Sequence, residues 1–115
     1  MNPLKTILFL VVMTGIILIS GCTQPASQET QSVSEQAKEK CINICMTISS
    51  DLTGRSPCLS DNNPEWNISD WVCDVAHSPR EAVDNLPENQ CAEFREGGAH
   101  HFVEVDTQCE FIKSM

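Results

Sequence analysis

Residues 32–52 read Ser32-Val33-Ser34-Glu35-Gln36-Ala37-Lys38-Glu39-Lys40-Cys41-Ile42-Asn43-Ile44-Cys45-Met46-Thr47-Ile48-Ser49-Ser50-Asp51-Leu52. Ala37, Cys41, Ile44, Cys45, Ile48 and Leu52 recur at spacings of four, three, one, three and four, which lays them along one stripe of an α-helix. Ser32 followed three residues later by Glu35 is a capping-box pattern, and Gly54 supplies a stop, so the spacing predicts a helix over 34–51. Cys41 and Cys45 then sit one turn apart on the apolar face. Side chains in that relation project in parallel and do not bond each other, so each must reach a different later segment.

The later partners are Cys58, Cys73, Cys91 and Cys109, which with Cys41 and Cys45 make an even set suited to three disulfides. Six cysteines allow fifteen pairings, and excluding the Cys41–Cys45 bond removes three, leaving twelve. A structural zinc site is the rival reading, but the chain has no CxxC pair to begin one. Staples are what a chain of this kind needs, because the folded part, 34–115, makes one small domain with three Phe, two Trp and no Tyr to fill its core.

Beyond Gly54 the periodicity weakens. Pro57, Asp61-Asn62-Asn63-Pro64, Ser78-Pro79 and Asn85-Leu86-Pro87 are turn signals that bracket short segments. Trp71-Val72-Cys73-Asp74-Val75-Ala76 reads as a strand. Ser78-Pro79-Arg80-Glu81 can open a brief helix, and Pro87 to Phe94 a second, ended by Gly97-Gly98. The extended runs 101–105 and 109–113, separated by Asp106-Thr107-Gln108, predict a β-hairpin. No internal repeat stands out. The expected class is α+β: a small disulfide-rich domain with one N-terminal amphipathic helix, short irregular segments and a C-terminal β-hairpin.

In front of the domain, Lys5, the apolar run from Ile7 to Ile19 and the small residues Ser20-Gly21 form the three parts of a secretory signal. Even counted from Leu4, the run is shorter than the roughly 20 apolar residues that favour a bilayer span. The stretch Ile19-Ser20-Gly21-Cys22 resembles the lipobox of prokaryotic lipoprotein signal peptides, and the resemblance covers residues 1–22 alone. It implies cleavage after residue 21 and lipid on Cys22, of the palmitate-bearing diacylglyceryl type, which anchors the chain to the extracytoplasmic face of a cell membrane, or to the outer membrane of a diderm source. Seven cysteines in all fit this, since removing Cys22 leaves a pairable six. Residues 22–33 are polar and small, the composition of a flexible tether.

The chain carries a formal net charge of −9, and from residue 41 onward thirteen Asp and Glu stand against four Lys and Arg. Nucleic acid is excluded as a partner, and so is electrostatic attachment to anionic lipid. Asp61-Asn62-Asn63-Pro64-Glu65 opens like a calcium loop but holds Trp66 and Val72 where Gly and Glu are required, so it reads as an Asx-rich turn. His77, His100 and His101 are the candidate metal ligands. Neighbours at the start of a strand point to opposite faces, so at most one of His100 and His101 can join His77.

The strand opening at His101 resembles the histidine strand of transglutaminase-like or papain-like thiol enzymes, a resemblance that would require an unpaired cysteine. Asn67-Ile68-Ser69 is a glycosylation sequon. Trp66 and Trp71 beside it are core fillers or, if exposed, a ligand surface. No cofactor and no catalytic residue is implied. The expectation is a membrane-anchored, non-enzymatic module that meets a protein or small ligand. An envelope hydrolase or thiol enzyme using His101 or His77 is one alternative, and a metal-binding lipoprotein is another.

Overall fold

In a computed structural model of the chain, the described residues are 21, 30–52 and 56–115. The helix α1 spans Val33–Ile48. The Ser32 hydroxyl accepts the Glu35 N–H at 3.3 Å, half of the expected capping box, while Glu35 reaches forward to Lys38 at 3.6 Å rather than back to Ser32. Ala37, Cys41, Ile44 and Cys45 form its buried stripe. The helix stops three residues short of the predicted end and tightens into a 3-10 turn at Ser49–Asp51. Hydroxyls of Thr47 and Ser49 donate back to the carbonyls of Ile44 and Met46, at 2.7 and 3.4 Å, and such bonds compete with the helical ladder. The predicted stop, Gly54, lies outside the described residues, as do Cys22, the signal segment up to Ser20 and most of the tether.

Three strands form one sheet in the order β1 (Trp71–Val75), β2 (His101–Val105), β3 (Phe111–Ser114). The first two run parallel, with Asp74 opposite Glu104 and Cys73 opposite Val103. The last two are antiparallel and make the hairpin, with Glu104 opposite Lys113. Cys109 and Glu110 belong to its turn, so β3 is shorter than the extended run 109–113. Asp106 causes this: its carboxylate accepts the N–H groups of Gln108 and Glu110, both at 2.9 Å, and Cys109 adopts a φ of 65°. On the other edge, Leu59 donates to the Cys73 carbonyl at 2.8 Å and Val75 to that of Pro57 at 3.2 Å, so the 57–59 segment covers β1.

A parallel pair needs a crossover, and here it is built from 3-10 turns at Ala82–Asn85 and Pro87–Asn89 followed by the single-turn helix α2, Ala92–Arg95. The one helix expected from Pro87 to Phe94 is divided, because Gln90 and Cys91 are extended (ψ 148° and 119°) where Cys91 bonds Cys58. Asp61 Oδ2 accepts the Ala92 N–H at 2.7 Å and caps α2. Gly97, at φ 83°, ends it as expected.

The disulfides are Cys41–Cys73, Cys45–Cys109 and Cys58–Cys91. The two helical cysteines therefore do reach different segments, one the central region of β1 and the other the hairpin turn. Around them the main core packs α1 against one face of the sheet, through Cys73, Val75, Val103 and Val105, the two valines of β2 being wholly buried. The molecule is thus an α+β domain held by three disulfides.

Candidate functional site

Strand alternation fixes what the other face of the sheet carries. With Cys73, Val75, Val103 and Val105 turned to the helix, Val72 and Asp74 of β1, Phe102 and Glu104 of β2, and Lys113 of β3 line the opposite side. The crossover folds over this face and adds Arg80, Gln90, Cys91, Phe94 and Arg95, enclosing a pocket of about 380 Å³. The row Asp74, Glu104, Lys113 runs straight across the three strands in register. Four cations occur from residue 41 onward (Arg55, Arg80, Arg95 and Lys113), and three of them line this one pocket of a strongly acidic chain.

The charges are unequally committed. Arg80 Nη1 meets Glu104 Oε2 at 2.8 Å, while its Nε donates to Asn85 Oδ1 at 2.9 Å and its Nη2 to the Asp84 carbonyl at 3.4 Å. Glu104 is only 7% exposed, so this pairing neutralises a buried carboxylate. Arg95 donates to the Pro87 carbonyl at 2.7 Å and lies 3.6 Å from Glu96. Lys113 has no carboxylate within 4.0 Å among the described residues; its amine stands 5.5 Å from the centre of the Phe102 ring, a cation–π contact. Phe94 meets Phe102 edge to face at 5.3 Å, which gives the pocket an aromatic wall.

Asp74 is the unusual group. Burial pushes its pKa up to about 8, the neighbouring Glu104 charge pushes the same way, and Arg80 only partly offsets them. At neutral pH it therefore holds its proton and presents an O–H donor beside the Glu104–Arg80 salt bridge.

The three histidines do not share a site. His77, just beyond the C-terminal end of β1, binds Asp84 through Nδ1 at 2.9 Å, and Asp84 also accepts the N–H groups of His77 and Glu81 at 3.0 and 2.8 Å. Burial of Asp84 works against its charge, but these donors outweigh it and lower its pKa to about 2. The same hydrogen bond raises the pKa of His77. His100 and His101 lie at the opposite end of the strands around Asp70, with His100 Nδ1 at 2.6 Å and His101 Nε2 at 3.6 Å. His100 precedes the strand, which lets both neighbours approach one carboxylate. The bond to His100 is the main cause of a lowered Asp70 pKa. Among the described residues, the one set of three Cys, His or carboxylate donors within 4.8 Å of one another is Cys58, Asp61 and Cys91, and there both sulfurs are committed to a disulfide.

Asp61-Asn62-Asn63 is a turn, as its composition predicts: Asn63 Oδ1 accepts the Glu65 N–H at 3.0 Å and Asn62 takes φ 54°. Trp66 and Trp71 pack on the main core, with Trp66 Nε1 donating to the Trp71 carbonyl at 2.8 Å and Trp71 stacked on His101 at 4.8 Å. Asn67 is exposed, its side-chain oxygen accepting from Lys40. All six described cysteines are paired, so among them His101 has no thiolate to activate.

Asp74, Arg80, Glu104 and Lys113 escaped the reading of the sequence. Two cues were present: an acid set among apolar residues in β1 and in β2, and cations otherwise scarce after residue 41. Only the parallel pairing of β1 with β2, which joins segments thirty residues apart, turns those cues into a site. Compared with known proteins, the chain matches no family model, no curated protein and no solved structure.

Proposed function

We propose that this chain is a lipid-anchored, extracytoplasmic binding module: residues 1–21 direct export, Cys22 carries the lipid, 22–33 form the tether, and the 34–115 domain binds a small ligand in the pocket on the outer face of its sheet. The observation that carries the binding role is that pocket, where a free amine, a proton-bearing carboxyl and an aromatic wall converge on a rigid sheet. A few convergent polar groups set in an apolar lining are what orient a small ligand. The pairing of six cysteines supports the export half, because such bonds persist in oxidising compartments.

Asp74 and Glu104, neighbours across β1 and β2 with a proton on Asp74, resemble an acid–base pair of a hydrolase. Glu104, however, is held by Arg80 and almost wholly covered, so it has no freedom to activate water, and binding is the better reading. Two experiments test the proposal. Radiolabelled lipid should enter the native chain and fail to enter Cys22→Ala; label persisting in the variant refutes the anchor. A fragment screen by amide-shift NMR should place its strongest responses at Val72, Phe94, Phe102 and Lys113, and responses confined to other surfaces refute the pocket as the binding site.

A further inference from the structure

Resting on that binding role, the charge count in the pocket defines what it can take. Arg80 is matched by Glu104 at 2.8 Å, and Arg95 is occupied by the Pro87 carbonyl and flanked by Glu96. One positive charge, that of Lys113, is left without a carboxylate partner among the described residues. A ligand carrying two negative charges would face the buried Glu104 with a single amine to offset it; a single negative charge is matched. Lys113 leans from β3 over the Phe102 ring of the middle strand, and it lines the same pocket as Asp74 of β1, in one row across the sheet with Glu104 between them. A carboxylate entering this pocket meets an amine and a proton-bearing carboxyl as donors, and charge-assisted bonds of this kind measure about 2.7–2.9 Å. Phe94, Phe102 and Val72 then offer apolar surface and no further charge.

We infer that the pocket binds a small monocarboxylate with an apolar or aromatic body, its carboxylate received between the Lys113 amine and the Asp74 carboxyl and its body laid on Phe94 and Phe102.

The protonated state of Asp74 is what makes it a donor to a carboxylate, and it gives the site a pH signature. The groups facing Asp74 are Glu104 from β2, Lys113 from β3, Arg80, Asp84 and Arg95 from the crossover and α2; of the two acids, Asp84 is held well below the neutral range. Above its own pKa Asp74 becomes a second anion at the site and expels the ligand.

The test uses the full-length oxidised chain in lipid nanodiscs and three probes of one shape: 3-phenylpropanoate, 3-phenylpropanamide and 3-phenylpropylamine, titrated by amide-shift NMR at the pocket residues. The acid should bind about tenfold or more tighter than the amide, and the amine weakest, one charge-assisted contact being worth at least that factor. Lys113→Ala should lose about tenfold for the acid alone, with Lys113→Arg retaining it. Affinity for the acid should fall between pH 7 and 9 in the native chain and stay level in Asp74→Asn. Equal binding of acid and amide, or indifference to Lys113→Ala, overturns the carboxylate assignment while leaving a binding pocket in place. If none of the three perturbs the pocket, the assignment and the binding role fall together.

Discussion

The two faces of the sheet are made from alternate residues of the same strands, yet they are built on opposite rules. On the inner face Cys73, Val75, Val103 and Val105 meet the stripe of α1, and each of these is apolar or a bonded sulfur. On the outer face the same strands present Asp74, Glu104 and Lys113, covered only by a crossover of turns and a single helical turn. Stability is concentrated on one side, which permits the other to hold a buried acid pair at a cost. In so small a domain the disulfides make this division affordable.

The inner face should give the largest effects. Replacing Cys45 and Cys109 together by Ala removes a bond across 64 residues, and stability should fall by about 3–5 kcal/mol in urea denaturation. The Cys41–Cys73 bond spans half that separation, 32 residues, so by loop entropy its double Ala variant should lose about 0.6 kcal/mol less. A reversed order would show that strain or packing, rather than chain restriction, sets the contribution of these bonds.

Asp84 belongs to the crossover and comes next. It is 1% exposed and accepts two part-buried backbone N–H groups, so Asp84→Ala leaves both without their partner and should cost about 1–3 kcal/mol at neutral pH. Its folded pKa is depressed to about 2, so its contribution is complete above the unfolded value of 3.8 and is lost as pH falls towards 2. His77 works in the opposite sense, its raised pKa adding stability at low pH that is lost as pH rises through the folded value. A native acid-unfolding curve that superimposes on that of Asp84→Ala would contradict this role.

For Asp74 the sign is reversed. Its folded pKa lies above the unfolded one, so holding it protonated is neutral below 3.8 and increasingly costly towards 8. Asp74→Asn should therefore stabilise the domain by about 1–3 kcal/mol at pH 7 and leave it unchanged at pH 3, a gain readable as a pH-dependent rise in Tm. A variant less stable than the native chain at neutral pH would place Asp74 among the supporting groups. The smallest effect is expected at Lys113, whose replacement by Ala should alter stability by no more than about 0.5 kcal/mol while weakening ligand binding.

The inner face was largely legible in the sequence and the outer face was not. The stripe from Ala37 to Ile48 and the six cysteines identify the helix, its buried side and the divergence of Cys41 and Cys45, because helical period and disulfide reach are local or combinatorial rules. The hairpin is likewise visible in 101–113, although the side-chain bonds of Asp106 shorten its second strand. The pairing of β1 with β2 is neither local nor marked by any motif. Without it Asp74 and Glu104 are two acids among sixteen. The histidines drew attention through their chemistry, but their partners Asp84 and Asp70 tie backbone segments together, a role visible only once the loops are closed.

The division between the faces is tested most directly at the carboxyl of Asp74. A carbon-13 NMR titration of its Cγ in the oxidised native chain should show a midpoint near 8, with Asp84 already ionised at pH 4. A midpoint near 3.8 would mean that the outer face holds an ordinary solvated carboxylate, and the account of the pocket would be contradicted.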